Sequence, residues 1–214
     1  PKPNRLKEEL MKKLINAGKF EILSLSSNAL EVMEKAGRTC YKSQSNITNQ
    51  SAKIFIEKIR KLGHESVLEH SSMTVRFYNI SRGFTHEIVR HRLCAFSQES
   101  TRYVGYHKGD LEIIVPPHKI NTPEIKDIDT VLTQIEECYK KLKKIGWKAE
   151  DIRQILPIGI RTEIVMTTNF REWRHIFKLR TSKAAHWEIK KVLTDLLNWC
   201  KLNIPVVFDD IQPE

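Results

Sequence analysis

The sequence predicts an α+β fold in a single domain, a mixed or antiparallel sheet packed by several helices. Stretches with apolar residues at helical spacing alternate irregularly with about four short stretches of strand pattern, which points away from a doubly wound sheet. No internal repeat, low-complexity tract or linker interrupts the 214 residues, so residues 1–214 are expected to share one core. A chain of that length buries roughly two thirds of its unfolded surface and needs no covalent staples.

Taken in order, Leu6, Leu10, Met11, Leu14 and Ile15 repeat at helical spacing up to Gly18, which stands where a C-cap glycine would. FEILSLS, residues 20–26, reads as a strand. Ser27 or Asn28 caps a helix through Lys35 that Gly37 ends, and SAKIFIEKIRKLG makes a helix closing at Gly63. In SMTVRFY, Met73, Val75 and Phe77 alternate with Thr74 and Arg76, the pattern of a half-buried strand. Ser81 begins a segment of helix formers that runs into Arg90, His91 and Arg92. LEIIVPP, residues 111–117, is a strand stopped by proline, and Thr122-Pro123-Glu124 starts a helix. That helix carries Ile125, Ile128, Leu132, Ile135, Tyr139 and Leu142 on one face and ends near Gly146. AEDIRQILP is a short helix, TEIVMTT a strand, Asn169 opens the helix FREWRHIFKLR, and residues 187–202 form a last long helix.

A formal charge of +10 and a pI near 9.4 mean that the molecule attracts anions, polyanions and small phosphorylated ligands alike. Part of the excess is a solvated helix face, as in KKLKKIGWK, residues 140–148. The four cysteines never form a C-x-x-C pair, so neither zinc nor a disulfide framework is expected, and a reducing cytoplasm is the simplest compartment. There is no apolar run long enough to span a membrane and no signal-peptide pattern at the start, so the protein is expected to be soluble and unexported, with no membrane partner.

The informative cations are those set among apolar residues. Arg90, His91 and Arg92, with Ser100 and Arg102, form one such group; Arg171, Arg174, His175 and Arg180, preceded by Arg153, form the other. Burying a guanidinium without a partner costs several kcal/mol, so these residues are expected to meet carboxylates or ligand phosphates. Glu87, Glu99, Glu163, Glu172 and Glu188 are the few acids close by. If the two groups meet, cations prevail, and arginine's planar fork suits phosphate and imide edges. No Gly-rich phosphate loop of either common type is present, so side chains must do the holding. His64 and His70 are six residues apart in HESVLEH, a spacing that leaves them off one helical face, so no metal site is expected. Cys94 among Leu93, Ala95 and Phe96 reads as packing, as do Trp173, Trp187 and Trp199.

The pattern R-H-R, seven residues, then Ser100 resembles the signature of the flavin-dependent thymidylate synthases. GHESVLEH at 63–70, RQILP at 153–157 and the NFR, LR and WEI pieces within 169–189 resemble further elements of that family in the same order, so the motif-bearing region covers about 63–190. The resemblance implies reductive methylation of dUMP at C5 to dTMP. The carbon comes from 5,10-methylenetetrahydrofolate, the hydride from FADH2, and NADPH reloads the flavin. It also implies the family's fold, a homotetramer and active sites shared between subunits. By matching positions, dUMP falls to Glu87, Arg90, Gln98, Glu99, Ser100, Thr101, Arg102, Arg153 and Arg180, and FAD to His64, Ser66, Arg90, His91, Arg92, Gln98, Asn169, Arg171 and His175. Arg180 is the expected catalytic group: a guanidinium against the uracil imide stabilises charge on N3 and O4 and makes C5 nucleophilic. Where several family members carry glutamate this chain has Gln98, and where they carry histidine it has Ala184, to which no flavin contact is assigned.

Two other classes compete. A nucleic-acid-binding protein would expose its cations among stacking aromatics, yet only 8% of residues are aromatic, so no nucleic-acid partner is expected. An assembly module would spend its arginines on contacts between subunits.

Overall fold

The computed structural model describes residues 14–15, 18–106 and 111–214. A four-stranded sheet forms from β2 (Lys19–Leu25), β3 (Ser72–Ser81), β6 (Arg161–Asn169) and β4 (Ala95–Gln98), in the order β2-β3-β6-β4. Its strands run antiparallel. Ser72 N–H donates to Ser26 Oγ while Arg76 pairs with Glu21. Thr74 meets Thr167 while Asn79 meets Arg161, and Thr168 meets Leu93 O while Glu99 N–H reaches Glu163 O. The expected alternation in β3 holds, with Met73, Val75 and Phe77 buried and Thr74 and Arg76 half-buried. A separate pair joins β1 (Leu14–Ile15) to β5 (Ile113–Ile114) in parallel.

The helices are α1 (Ala29–Tyr41), α2 (Ser51–Lys61), α3 (Arg82–Ile88), α4 (Ile125–Lys144), α5 (Ala149–Ile152), α6 (Phe170–Arg180) and α7 (Trp187–Asn203). Contacts divide the chain into two compact units. One takes residues 1–19, 77–87 and 97–164; the other takes 20–76, 88–96 and 165–214. In the first, Tyr106, Leu111, Leu132, Tyr139, Ile152 and Ile160 make the core, with the Tyr106 and Tyr139 rings edge to face at 6.0 Å. In the second, α6 supplies Trp173 and Phe177, stacked at 5.6 Å, and Phe170 and Phe177 both pack on Phe208. Trp173 is fully buried; Trp187 and Trp199 are half-buried.

Several boundaries differ from those expected, for identifiable reasons. Leu14 and Ile15 form a strand where a helix was expected, because they pair in register with Ile113 and Ile114; the rest of that apolar repeat, Leu6, Leu10 and Met11, lies outside the described residues. Gly37 does not end α1. It sits inside the helix, where a Cβ would stand 2.6 Å from Phe55 Cε1, so its bareness serves the contact with α2. The helix ends instead at Lys42, in the left-handed conformation. The helix after Ser81 stops at Ile88, short of Arg90, and the strand expected over 111–117 shrinks to two residues.

One buried cation organises the second unit. Arg174, 2% exposed, donates Nε–H to Glu65 at 3.0 Å, both terminal nitrogens to the Asp210 carboxylate at 2.7 and 2.8 Å, and Nη1–H to Val207 O. Arg60 on α2 reaches the same Asp210. Burial alone would raise the Asp210 carboxyl, but the hydrogen bonds and charge of Arg174, with the charge of Arg60, outweigh it and hold it at about 2. Its stabilising contribution is therefore complete above 3.8 and is lost as the pH falls through about 2. Truncating Arg174 strips Glu65, Asp210 and the Val207 carbonyl of their shared donor and leaves Asp210 to Arg60 alone, so Arg174→Ala should lose about 3–5 kcal/mol in urea unfolding at neutral pH. Asp210→Asn should lower the melting temperature at pH 7, and its deficit should close between pH 3.8 and about 2. A deficit independent of pH would assign Asp210 a purely steric role.

Candidate active site

The RHR triplet lies in the second unit, after α3, where His91 N–H bonds back to Ile88 O. Arg90 and Arg92 are exposed, and so is Leu93, at 74%. The expectation that these arginines are buried is overturned, because the apolar run beside them is itself on the surface. Arg102, Arg153 and Arg171 are exposed as well, and Arg180 is half-buried. Among the arginines of the two groups only Arg174 is fully buried, and its acids are Glu65 and Asp210.

His91 is where the two arginine-bearing segments meet. Arg180 Nε–H donates to His91 Nε2 at 3.0 Å, Glu172 Oε1 lies 3.4 Å from His91 Nδ1, and the His175 ring stands edge-on to His91 at 5.7 Å. His91 and Glu172 are buried and His175 is exposed. Burial raises the Glu172 carboxyl above its ordinary range, against the opposing charge of His175. Asn169 caps α6 by accepting Glu172 N–H on Oδ1 at 2.9 Å, which fixes where the Glu172 side chain departs. Sequence spacing gave Glu172 no role beyond a nearby acid; its helix position, one turn before His175, was the available signal. His91, Glu172 and His175 also offer ligand atoms within 4.8 Å of one another, a grouping able to take a metal ion that the sequence did not suggest.

In the same unit, His64, Ser66 and Arg171 line a hollow of about 310 Å³ together with Gly37, Tyr41 and Glu65. Tyr41 Oη sits 3.3 Å from His64 Nδ1, and Arg171 pairs with Glu69. Tyr41 and His64 also border a larger cavity of about 680 Å³, walled by Arg38, Phe55 and Lys58.

The first unit holds Glu87, half-buried on α3, and the segment from Gln98 to Arg102. Gln98 Nε2–H donates to Thr85 Oγ1 at 2.8 Å, so the amide that replaces glutamate here is held on α3. Glu99 is fixed on three sides: its N–H reaches Glu163 O, its carbonyl accepts from Arg82, and its carboxylate accepts from Tyr106. Ser100 makes a turn, its carbonyl accepting from the N–H of Tyr103 and Val104 and its Oγ from Arg102 N–H. The Arg102 guanidinium rests on Glu150 at 3.2 Å. Thr101 and Arg153 share a cavity of about 420 Å³ with Arg82, His86, Gln154 and Pro157, and among the described residues no carboxylate lines it. Arg82 and His86 are neighbours that the motif did not contain.

Cys94 is half-buried, and burial pushes its thiol up to about 11, against a hydrogen bond with Thr168 and helped by the charge of Glu172. A thiol that stays protonated at neutral pH is no nucleophile.

An α+β scaffold with one hollow walled by cations and another by histidine, serine and arginine is suited to phosphorylated ligands. The family described as thymidylate synthase complementing protein matches residues 21–206. A flavin-dependent thymidylate synthase of Geobacter sulfurreducens is 33% identical over 202 residues, covering 91% of this chain and 87% of that protein. One from Corynebacterium efficiens is 33% identical over 201 residues, covering 86% and 80%. The chain belongs to the family of flavin-dependent thymidylate synthases. Its fold resembles that of the UMP/dUMP methylase PolB from Streptomyces cacaoi, solved with 5-Br dUMP, with a TM-score of 0.78 at 22% identity over 92% of this chain and 95% of that one. Thymidylate Synthase X from Helicobacter pylori, solved with FAD and dUMP, gives 0.76 at 20% identity over 91% and 98%.

At pH 8, iodoacetamide should alkylate exposed Cys40 and Cys138 well before Cys94, as read by peptide mass spectrometry. Equal rates would mean that Cys94 is a reactive thiolate.

Proposed function

We propose that this chain is a thymidylate synthase that methylates dUMP at C5, taking the carbon from 5,10-methylenetetrahydrofolate and the hydride from FADH2 that NADPH reloads. The cavity shared by Thr101, Arg153, Arg82 and His86 carries this reading: a hollow with two guanidiniums and, among the described residues, no carboxylate in its lining suits the dianionic phosphate of a nucleoside monophosphate. Ser100 and Arg102, in the turn next to it, add hydroxyl and guanidinium donors, with Gln98, Glu99, Glu87 and Arg90 as further nucleotide contacts. Arg180 acts as the electrophile on the uracil imide.

FAD fits the donor set of the second unit. Ser66, His64 and Arg171 share one hollow and offer the hydroxyl, imidazole and guanidinium donors that a pyrophosphate requires. Asn169, His175, His91, Arg90 and Arg92 complete the set. When bound, FAD supplies the redox chemistry, and the chain's task is binding and orientation. Asn169 serves as a helix cap as well, so its amide nitrogen is the group left to a ligand.

The working form is a homotetramer of a single 1–214 domain in the cytoplasm, with active sites shared between copies. Surface exposure of Val89 and Leu93 beside Arg90 and Arg92 supports an interface there. No helix among the described residues is long and apolar enough to cross a membrane.

Freshly purified protein should be yellow, its flavin band should bleach with NADPH under argon, and the band should shift when dUMP is added. Arg180→Ala should keep the colour while losing about 100-fold or more in dTMP formation. Arg153→Ala should raise the KM for dUMP by about tenfold. Protein that remains colourless with added FAD would overturn the proposal.

A further inference from the structure

The directions of the hydrogen bonds at His91 fix more than a contact. An arginine Nε–H can only donate, so His91 Nε2, 3.0 Å from it, is the unprotonated acceptor. The ring proton therefore sits on Nδ1, the nitrogen that faces Glu172 Oε1 at 3.4 Å. The side chains of His91 and Glu172 are 5% and 10% exposed, so water offers little competition for either. A carboxylate is an acceptor only, and of the two neutral imidazole forms it stabilises the one with its proton on Nδ1. Glu172 and Arg180 stand near opposite ends of α6, so one rigid helix carries both ends of the chain of contacts and His91 bridges them.

We propose that Glu172 is a positioning residue: by accepting from His91 Nδ1 it keeps Nε2 as the acceptor for Arg180, and so fixes the plane of that guanidinium. The functional part rests on the role given to Arg180 above, whereas the histidine tautomer can be read without it. A metal ion on His91, Glu172 and His175 would need a nitrogen of His91, and both already face a partner.

The test is nitrogen-15 NMR of full-length protein labelled in histidine, with the His91 signal identified by its loss in His91→Asn. Wild type should show the proton on Nδ1. Glu172→Gln preserves shape but can turn an NH2 toward the ring, and Glu172→Ala removes the acceptor, so both should shift His91 toward the other tautomer or a mixture. Flavin content should hold, and kcat should fall about tenfold in Glu172→Gln with the KM for dUMP within about twofold. If Glu172→Ala does not fold, the isosteric variant still decides. An unchanged His91 tautomer overturns the proposal. So does uptake of one zinc per chain that Glu172→Gln abolishes, since the trio would then be a metal site. Should wild type form no dTMP at all, the function proposed above fails, while the tautomer still settles what Glu172 does to His91.

Discussion

The second unit depends on one buried guanidinium. Arg174 brings together the segment after His64, the helix that carries Arg171, His175 and Arg180, and the C-terminal stretch at Val207 and Asp210. Four of its five N–H donors meet these acceptors in a fixed fork, which lysine's point charge could not reproduce. Taking such a charge out of water costs several kcal/mol, and the arrangement is stable only because acids and a carbonyl meet it from separate segments. The consequence for the site is geometric: His64 and Ser66 stand next to Glu65 in sequence, so the network that holds Glu65 also places the hollow that they line with Arg171.

Burial separates the structural cation from the exposed ones. Arg174 is sealed among acids, while Arg90, Arg92, Arg153 and Arg171 remain in contact with solvent. Exposed guanidiniums lose little on their own and gain much when a phosphate arrives, so the net charge of +10 works as a standing attraction for anions rather than as a fold determinant. The same logic accounts for the rigid turn at Glu99 to Arg102. Its backbone groups are bonded to Glu163, Arg82 and Ser100, and the Glu99 carboxylate to Tyr106.

Much of the fold was legible. Burial alternated as expected in β3, β6 formed where a strand was expected, the stripe of α4 buries Ile125, Leu132 and Tyr139 while Ile128 faces solvent, and the Asn169 cap appeared where the sequence put it. Two errors share one cause. Gly37 was read as a helix stop and Leu14-Ile15 as a helix, and in both cases a partner far along the chain, Phe55 or Ile113-Ile114, overrode the local preference. Expecting buried arginines beside Leu93 failed for a related reason, since apolar neighbours in sequence do not say whether that run faces a core.

The sequence by itself determined the residues able to bind anions, their motif spacing and hence the family, because those are properties of side-chain type and order. Only the tertiary structure decided which arginine is structural, that Arg82 and His86 join Thr101 and Arg153 in one cavity, and that Glu172 faces His91. Those facts depend on hydrogen-bond direction and desolvation between segments far apart in the chain, such as Glu65, Arg174 and Asp210, and no local pattern encodes them.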